Sequence, residues 1–288
     1  MRGQPRVLYN TAEIEIWPHG LLRARSNHDA RTLARARHVL RRKRDGRYLA
    51  AVLPNGILPL VERLPREPGL GEALALLDAL DAAPPAGLGG VLRYPRTLPL
   101  NRLHERLHDL HLDEAGYAAR TGLALVPEPA VLAFSGFDRY RRPLWLVQPA
   151  ARAWSRLRQA AAADGIALEA ISGYRSHDYQ LGIFQRKLDR GQSVEQILEV
   201  NAAPGFSEHH SGLALDLSCP GEPPAEESFE TTPAFAWLQA RAASHGFHMS
   251  YPRQNPHGIV YEPWHWRFDP TATAAPGNKE PDPRCSKE

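Results

Sequence analysis

The 288-residue sequence predicts an α+β fold. Three observations lead there. Short apolar segments of strand character are mixed with amphipathic helical segments, and they show no regular β-α-β alternation. The 26 prolines and 22 glycines divide the chain into many short elements. A hydrophobic fraction of 43% with 8% aromatics fits a chain long enough to bury a sizeable core in one or two domains.

Taken in order, residues 1–20 read as strand-like, with a turn at Pro18 to Gly20. Asp29 to Arg44 has helical spacing, with Leu33, Ala36 and Leu40 on one face and arginines around them. The Asp45-Gly46 turn closes that segment, and R-Y-L-A-A-V-L-P reads as a strand. L-G-E-A-L-A-L-L-D-A-L-D reads as a helix running into A-A-P-P-A-G-L-G-G, the clearest linker in the chain. A boundary is therefore expected around residues 82–95. It separates an N-terminal basic α/β region (1–95) from a second domain (96–270), with a polar, proline-bearing and charged tail (271–288) expected to be disordered.

The second domain begins with a helix, Asn101 to Leu112, containing H-E-R-L-H. This matches the H-E-x-x-H zinc-protease pattern at His104, Glu105 and His108, with His111 a turn on and Glu128 as a distant third ligand. The core stripe Leu103, Leu107 and Leu110 turns the His104/His108 side toward its edge, and we read the match as fortuitous. Pro149 to Ala163 has Pro near a helix start and D-G at its end. I-A-L-E-A-I-S reads as a strand, and Asp178 to Leu188 as a helix stopped by Gly191. Ser193 and Gln196 form a capping box for V-E-Q-I-L-E-V. After a polar loop, Gly221 to Thr231, Thr232-Pro233 opens a helix reaching about Ser244. H-M-S-Y and P-W-H-W-R-F supply the last strands.

Two segments hold the chemistry. S-E-H-H-S-G-L-A-L-D offers His209 and, seven residues on, Asp216; E-P-W-H-W-R offers Glu262 and His265. Two imidazoles and one carboxylate are a common ligand set for a catalytic zinc that keeps one position open. Such an ion polarises a carbonyl and brings bound water to a pKa of about 7. A further carboxylate outside the ligand set is needed to move protons, and Glu262 suits that role. L-A-L-D-L reads as a strand pointing Asp216 to one face. Gly205 and Gly212 permit turns on either side of the histidines, and Pro263 keeps Glu262 out of regular helix. His210 lacks a motif position and is read as a surface residue or a support to the site.

S-x-H-x-x-G-x-A-x-D followed about fifty residues later by E-x-W-H-W resembles the VanY-type D-alanyl-D-alanine carboxypeptidase family, zinc peptidases acting on peptidoglycan stem peptides. S-G-Y-R-S at Ser172 to Ser176, Gln180 and A-A-P-G-F add to the resemblance, which covers roughly residues 98–270. It implies a small antiparallel sheet flanked by helices. It also implies zinc on His209, Asp216 and His265, Glu262 as catalytic base and Arg175 against the substrate. Ser207, Gln180 and Trp264 are further candidates for substrate contact.

Net charge is +3, but residues 1–47 hold 12 Lys/Arg against 4 Asp/Glu, a balance of +8. Without aromatic interleaving or a nucleic-acid motif this reads as a solvated basic face, and nucleic acid is not an expected partner. The alternative is that residues 1–95 are a nucleic-acid-binding region joined to a peptidase. Cys219 and Cys285 form no ligand cluster. No apolar run has the length of a membrane span, and the N-terminus does not read as a signal peptide. The expected compartment is the cytoplasm, with the periplasm or cell wall as the alternative. A cytoplasmic enzyme that cut D-Ala-D-Ala would destroy wall precursors, so L,D-carboxypeptidase activity on recycled peptides or muropeptides is expected over D,D activity. A non-catalytic cell-wall-binding module on the same fold is the reading from another class.

Overall fold

The computed structural model describes residues 6–24, 26–82, 97–198 and 202–271. Most of the expected linker, the expected tail from residue 272 and Cys285 lie outside them. Near the N-terminus, β1 (Val7–Asn10) turns back into β2 (Ile14–Pro18), and the Thr11 hydroxyl at the turn donates to the Ile14 carbonyl at 2.9 Å. Helix α1 (Asn27–Arg35) starts where the Ser26 hydroxyl accepts the Asp29 N–H at 3.0 Å.

The helix expected over Asp29 to Arg44 is corrected here. It ends at Arg35, Ala36 turns extended (ψ 135°), and His38–Arg42 is strand β3. Strand β3 pairs with β2 on one side and with β4 (Tyr48–Leu53) on the other. Val39 is then buried against Leu33 and Ala36, while Leu40 is buried against the core beneath α2 (Leu70–Ala82). Pairing along both edges and burial of both faces override a weak helical periodicity.

β5 (Gly56–Pro59) closes one end of this sheet. Beyond the linker come α3 (Asn101–Asp109) and α4 (Glu114–Thr121), then the hairpin β6 (Val131–Phe137) and β7 (Pro143–Leu146). Of these only α3 is anticipated from sequence. β6 pairs antiparallel with β1, Val7 opposite Ala133, giving a seven-stranded sheet in the order β5-β4-β3-β2-β1-β6-β7. Strands from either side of the expected 82–95 boundary thus belong to one sheet. Arginines of the basic N-terminal segment are engaged there: Arg41 with Glu15 at 2.6 Å, and Arg42 with Asp45 at 2.6 Å and Glu67 at 2.8 Å.

Helix α5 (Gln148–Ala163), with Pro149 in its first turn, packs on β6 and β7 of this sheet and shares a core with a second one. The second sheet is antiparallel, β10-β11-β9-β8, built from β8 (Glu169–Ser172), β9 (Ala214–Ser218), β10 (Phe247–Met249) and β11 (His265–Phe268). Trp154 and Leu157 of α5 share one core with Leu144, Leu146, Leu215, Leu217 and Phe268, and with Phe235 and Leu238 of α8 (Pro233–Arg241). α6 (His177–Leu188) and α7 (Val194–Leu198) connect β8 to the histidine segment. The expected box forms: Gln196 Oε1 accepts the Ser193 N–H at 2.9 Å, and Ser193 Oγ the Gln196 N–H at 3.3 Å. The chain is α+β, with antiparallel sheets flanked by helices. Among the described residues no helix is long and apolar enough to cross a membrane.

Candidate metal centre and its cleft

Strand register assembles the centre. In β9 the side chains alternate, so Leu215 and Leu217 enter the core while Asp216 faces the other way. Asp216 lies directly opposite His265 of β11 and opposite Ser172 of β8. His209 arrives from a 3-10 turn, Glu208–Ser211, that ends at Gly212 with φ +67°. A Cβ at Gly212 would sit 2.9 Å from Leu132 Cδ2 and 3.2 Å from the Val147 nitrogen, so both the turn and the close approach call for glycine.

Asp216 Oδ1 lies 3.1 Å from His209 Nε2 and 3.2 Å from His265 Nδ1. These residues are the His/Cys/Asp/Glu cluster of metal-ligating geometry among the described residues, and all three are buried. Ligand atoms about 2.0–2.1 Å from a tetrahedral ion stand roughly 3.3 Å apart, so the spacing fits a small divalent cation. The remaining nitrogens are held as such a site requires. His209 Nδ1 donates to the Gly173 carbonyl at 2.7 Å, and His265 Nε2 donates to Glu208 Oε2 at 2.8 Å. Those bonds leave His209 Nε2 and His265 Nδ1 as the nitrogens facing Asp216, the two that would offer lone pairs to a metal ion once the proton on His265 Nδ1 is displaced. The Ser172 hydroxyl donates to Asp216 Oδ2 at 2.6 Å, and Arg175 Nη1 lies 3.5 Å from the same oxygen.

Charge follows geometry. Burial works against ionisation of Asp216, yet His209, His265 and Arg175 hold its carboxyl well below the usual range. Burial, with Arg175 beside it, brings His209 down to about 4. Burial acts in the same direction on His265, but its bonds to Asp216 and Glu208 outweigh it and raise the imidazole to about 10 in the metal-free chain. Burial pushes Glu262 up to about 6. Its Oε2 lies 3.9 Å from His265 Nδ1.

A cleft of about 310 Å³ opens over the centre. Arg175, Gln180, Ser207, Glu262 and Trp264 all line it, as do the three clustered residues. Gln180 is partly committed, donating to the Ala202 carbonyl at 3.1 Å. Trp266 instead packs in the core. Sequence reasoning passed over Tyr251, whose ring stacks 4.8 Å from that of His265, and the apolar wall of Ile183 and Ile259. It also passed over Glu208, although that residue stands beside His209 in the motif. The surface reading of His210 is corrected: it is fully buried. Its Nδ1 donates to the Arg175 carbonyl at 2.7 Å and its Nε2 accepts the Gly205 N–H at 3.2 Å, which fixes the loop carrying Arg175.

The H-E-x-x-H histidines go elsewhere. Leu103 and Leu107 are buried, whereas His108 is exposed and His104 pairs with Glu114 at 2.9 Å. Glu128 is buried among Lys43, Asn10, Tyr174 and the His177 N–H.

The family model for VanY, D-alanyl-D-alanine carboxypeptidase, matches residues 144–271. The Bacillus subtilis (strain 168) protein YodJ is 36% identical over 136 residues, 46% of this chain and 49% of that protein. VanXYC of Enterococcus gallinarum, a bifunctional D-Ala-D-Ala dipeptidase and carboxypeptidase, is 30% identical over 148 residues, 49% of this chain and 74% of that protein. A solved LdcB LD-carboxypeptidase superposes with a TM-score of 0.43 at 32% identity, covering 46% of this chain and 64% of that one. The chain spans about half the length of the first curated relatives it matches.

Proposed function

We propose that this chain, which belongs to the VanY D-alanyl-D-alanine carboxypeptidase family, is a zinc-dependent carboxypeptidase that removes a C-terminal D-alanine from peptidoglycan-derived stem peptides or muropeptides. The observation that supports it most directly is the joint placement of a His/Asp/His cluster and a separate, half-buried carboxylate, Glu262, in one cleft. His209 Nε2, Asp216 Oδ1 and His265 Nδ1 would hold the ion. When bound, zinc supplies Lewis-acid polarisation of the scissile carbonyl and lowers the pKa of water.

The protein's own groups then have distinct tasks. Glu262, half-buried and with its acidity shifted toward neutrality, takes the proton of the attacking water and returns it to the leaving amine of D-alanine. The Arg175 guanidinium presents N–H donors to the substrate carbonyl or carboxylate, and its charge adds to that of His209 and the bond from His265 in keeping Asp216 ionised. Ser207 and Gln180 offer polar groups along the wall, and Trp264, Ile183 and Ile259 offer apolar surface for a small side chain. Tyr251 packs over His265 and limits access of bulk water to it.

The peptidase function is assigned to residues 96–270. Cleavage of the L-centre–D-Ala bond of a tetrapeptide is the form our reading puts first, with D,D cleavage of a pentapeptide as the other. Incubating both peptides with the protein, with and without chelator, and weighing the products separates them. Chelator-sensitive loss of D-alanine from the tetrapeptide supports the L,D form, and loss from the pentapeptide alone supports the D,D form. Zinc binding with no loss from either overturns the enzyme and leaves a wall-binding module.

A further inference from the structure

A second cleft, of about 220 Å³, adjoins the first and shares Arg175 with it. One wall is made by residues outside the family match: Glu15 and Trp17 of β2, Arg41 of β3 and Lys43 just beyond it. The other wall includes Arg142, Trp145 and Tyr179. We propose that this cleft is a substrate subsite supplied by the N-terminal sheet, and that it binds a carboxylate-bearing stretch of the peptide on the N-terminal side of the scissile bond. The proposal rests on the carboxypeptidase reading for the identity of the ligand as substrate.

Three observations converge on an anionic, acceptor-rich ligand. First, the acids of the cleft are buried and already committed. Glu15 accepts from Trp17 Nε1 at 2.7 Å and from Arg41 at 2.6 Å, and Asp138 accepts the Tyr140 and Arg142 N–H groups at 2.9 and 2.8 Å. Second, the guanidinium groups remain reachable, with side-chain exposures of 30% for Arg41, 52% for Arg142 and 28% for Arg175. Each carries five N–H donors, more than its protein partner takes up. Third, two residues that line the cleft, Trp145 and Arg175, each hold a buried donor, Nε1 and Nε, with no hydrogen-bond partner. Buried donors left unmatched cost stability, and a ligand whose acceptors draw these side chains toward the cleft would relieve that cost.

The shape agrees with this chemistry. Trp17 and Trp145 meet edge to face at 5.1 Å, Arg41 stacks 5.4 Å over Trp17, and Tyr179 is exposed at the rim. A stacked guanidinium is held in place, which suits it to recognise a carboxylate. Because Arg175 belongs to both clefts, a peptide whose terminal D-alanine sits over the metal centre has this second cleft within one side chain of its upstream residues. In this arrangement the seven-stranded sheet extends substrate recognition beyond the peptidase fold.

The test uses the full chain loaded with zinc and carrying Glu262→Gln, so that binding is read without turnover. Calorimetry compares an acidic peptide ending in D-alanine with the same peptide amidated at its upstream carboxylates. The acidic peptide is expected to bind about tenfold tighter, and Arg41→Gln, or the more exposed Arg142→Gln, to abolish that preference. Equal binding of the two peptides, or a preference that survives both substitutions, overturns the subsite. Hydrolysis of a short acyl-D-alanine by the unmutated chain is measured alongside. Its failure would count against the carboxypeptidase reading alone, since the binding comparison stands without it.

Discussion

Glu208 Oε2 accepts a hydrogen bond from His265 Nε2 at 2.8 Å, and so determines which nitrogen of His265 faces Asp216. The carboxylate is itself anchored, by the Ser250 hydroxyl at 2.6 Å, with Arg267 3.6 Å away. Burial opposes its ionisation, but His265 and Ser250 hold it at about 2, so it is a full anion throughout the neutral range. An imidazole tied in this way keeps its tautomer and its orientation.

Glu208→Ala should therefore weaken zinc binding by about 10–100-fold, the usual effect of losing the partner of a ligating histidine. Competition with a chromophoric chelator measures it, with Glu208→Gln expected to fall between the two. Unchanged affinity in the alanine variant would show that Glu208 does not orient His265.

Glu262→Gln should retain one zinc per chain and lose roughly 10²–10⁴-fold in turnover, the typical contribution of a positioned acid–base group. Metal analysis and peptide hydrolysis on the same sample separate binding from proton transfer. Turnover at the unmutated rate would remove Glu262 from the mechanism.

His209→Ala and His265→Ala should each abolish stoichiometric zinc, while His104→Ala and His108→Ala leave it intact. The latter pair stands on an exposed helix face outside the cluster. Zinc content after dialysis is the readout, and loss of metal in the His108 variant would reopen the H-E-x-x-H reading.

The buried Lys43–Glu128 pair ties the N-terminal sheet to the loop before β6. Burial disfavours the Glu128 carboxylate, yet Lys43 and His177 hold its carboxyl well below the usual range. A folded-state value below the unfolded value of about 4.3 contributes stability that is full above that pH and is lost as pH falls below it. Denaturant midpoints should therefore drop below about pH 4. At neutral pH Lys43→Met should cost about 3–5 kcal/mol by stranding the carboxylate, and Lys43→Met with Glu128→Leu should recover much of it. A single variant as stable as the unmutated chain would show that the pair is dispensable.

Local sequence was enough to nominate the residues of the centre. His209 and Asp216 sit in one ten-residue segment and Glu262 and His265 in another, and strand alternation alone turns Asp216 away from Leu215 and Leu217. The capping box and the proline-led helix were legible for the same reason: they depend on neighbours within four residues. Contacts between distant segments were not. The strand at His38–Arg42 looked helical because its pairing with β2 and β4 is non-local. Glu208 passed unnoticed because its partner is 57 residues away. The sheet shared by β1 and β6 joins residues more than 120 positions apart, and no periodicity within either strand records the other. Side-chain chemistry and short-range pattern are properties of the chain itself. Which lone pair faces the metal centre, and which strand walls the neighbouring cleft, was decided only by tertiary pairing, because hydrogen-bond register links segments that the sequence keeps apart.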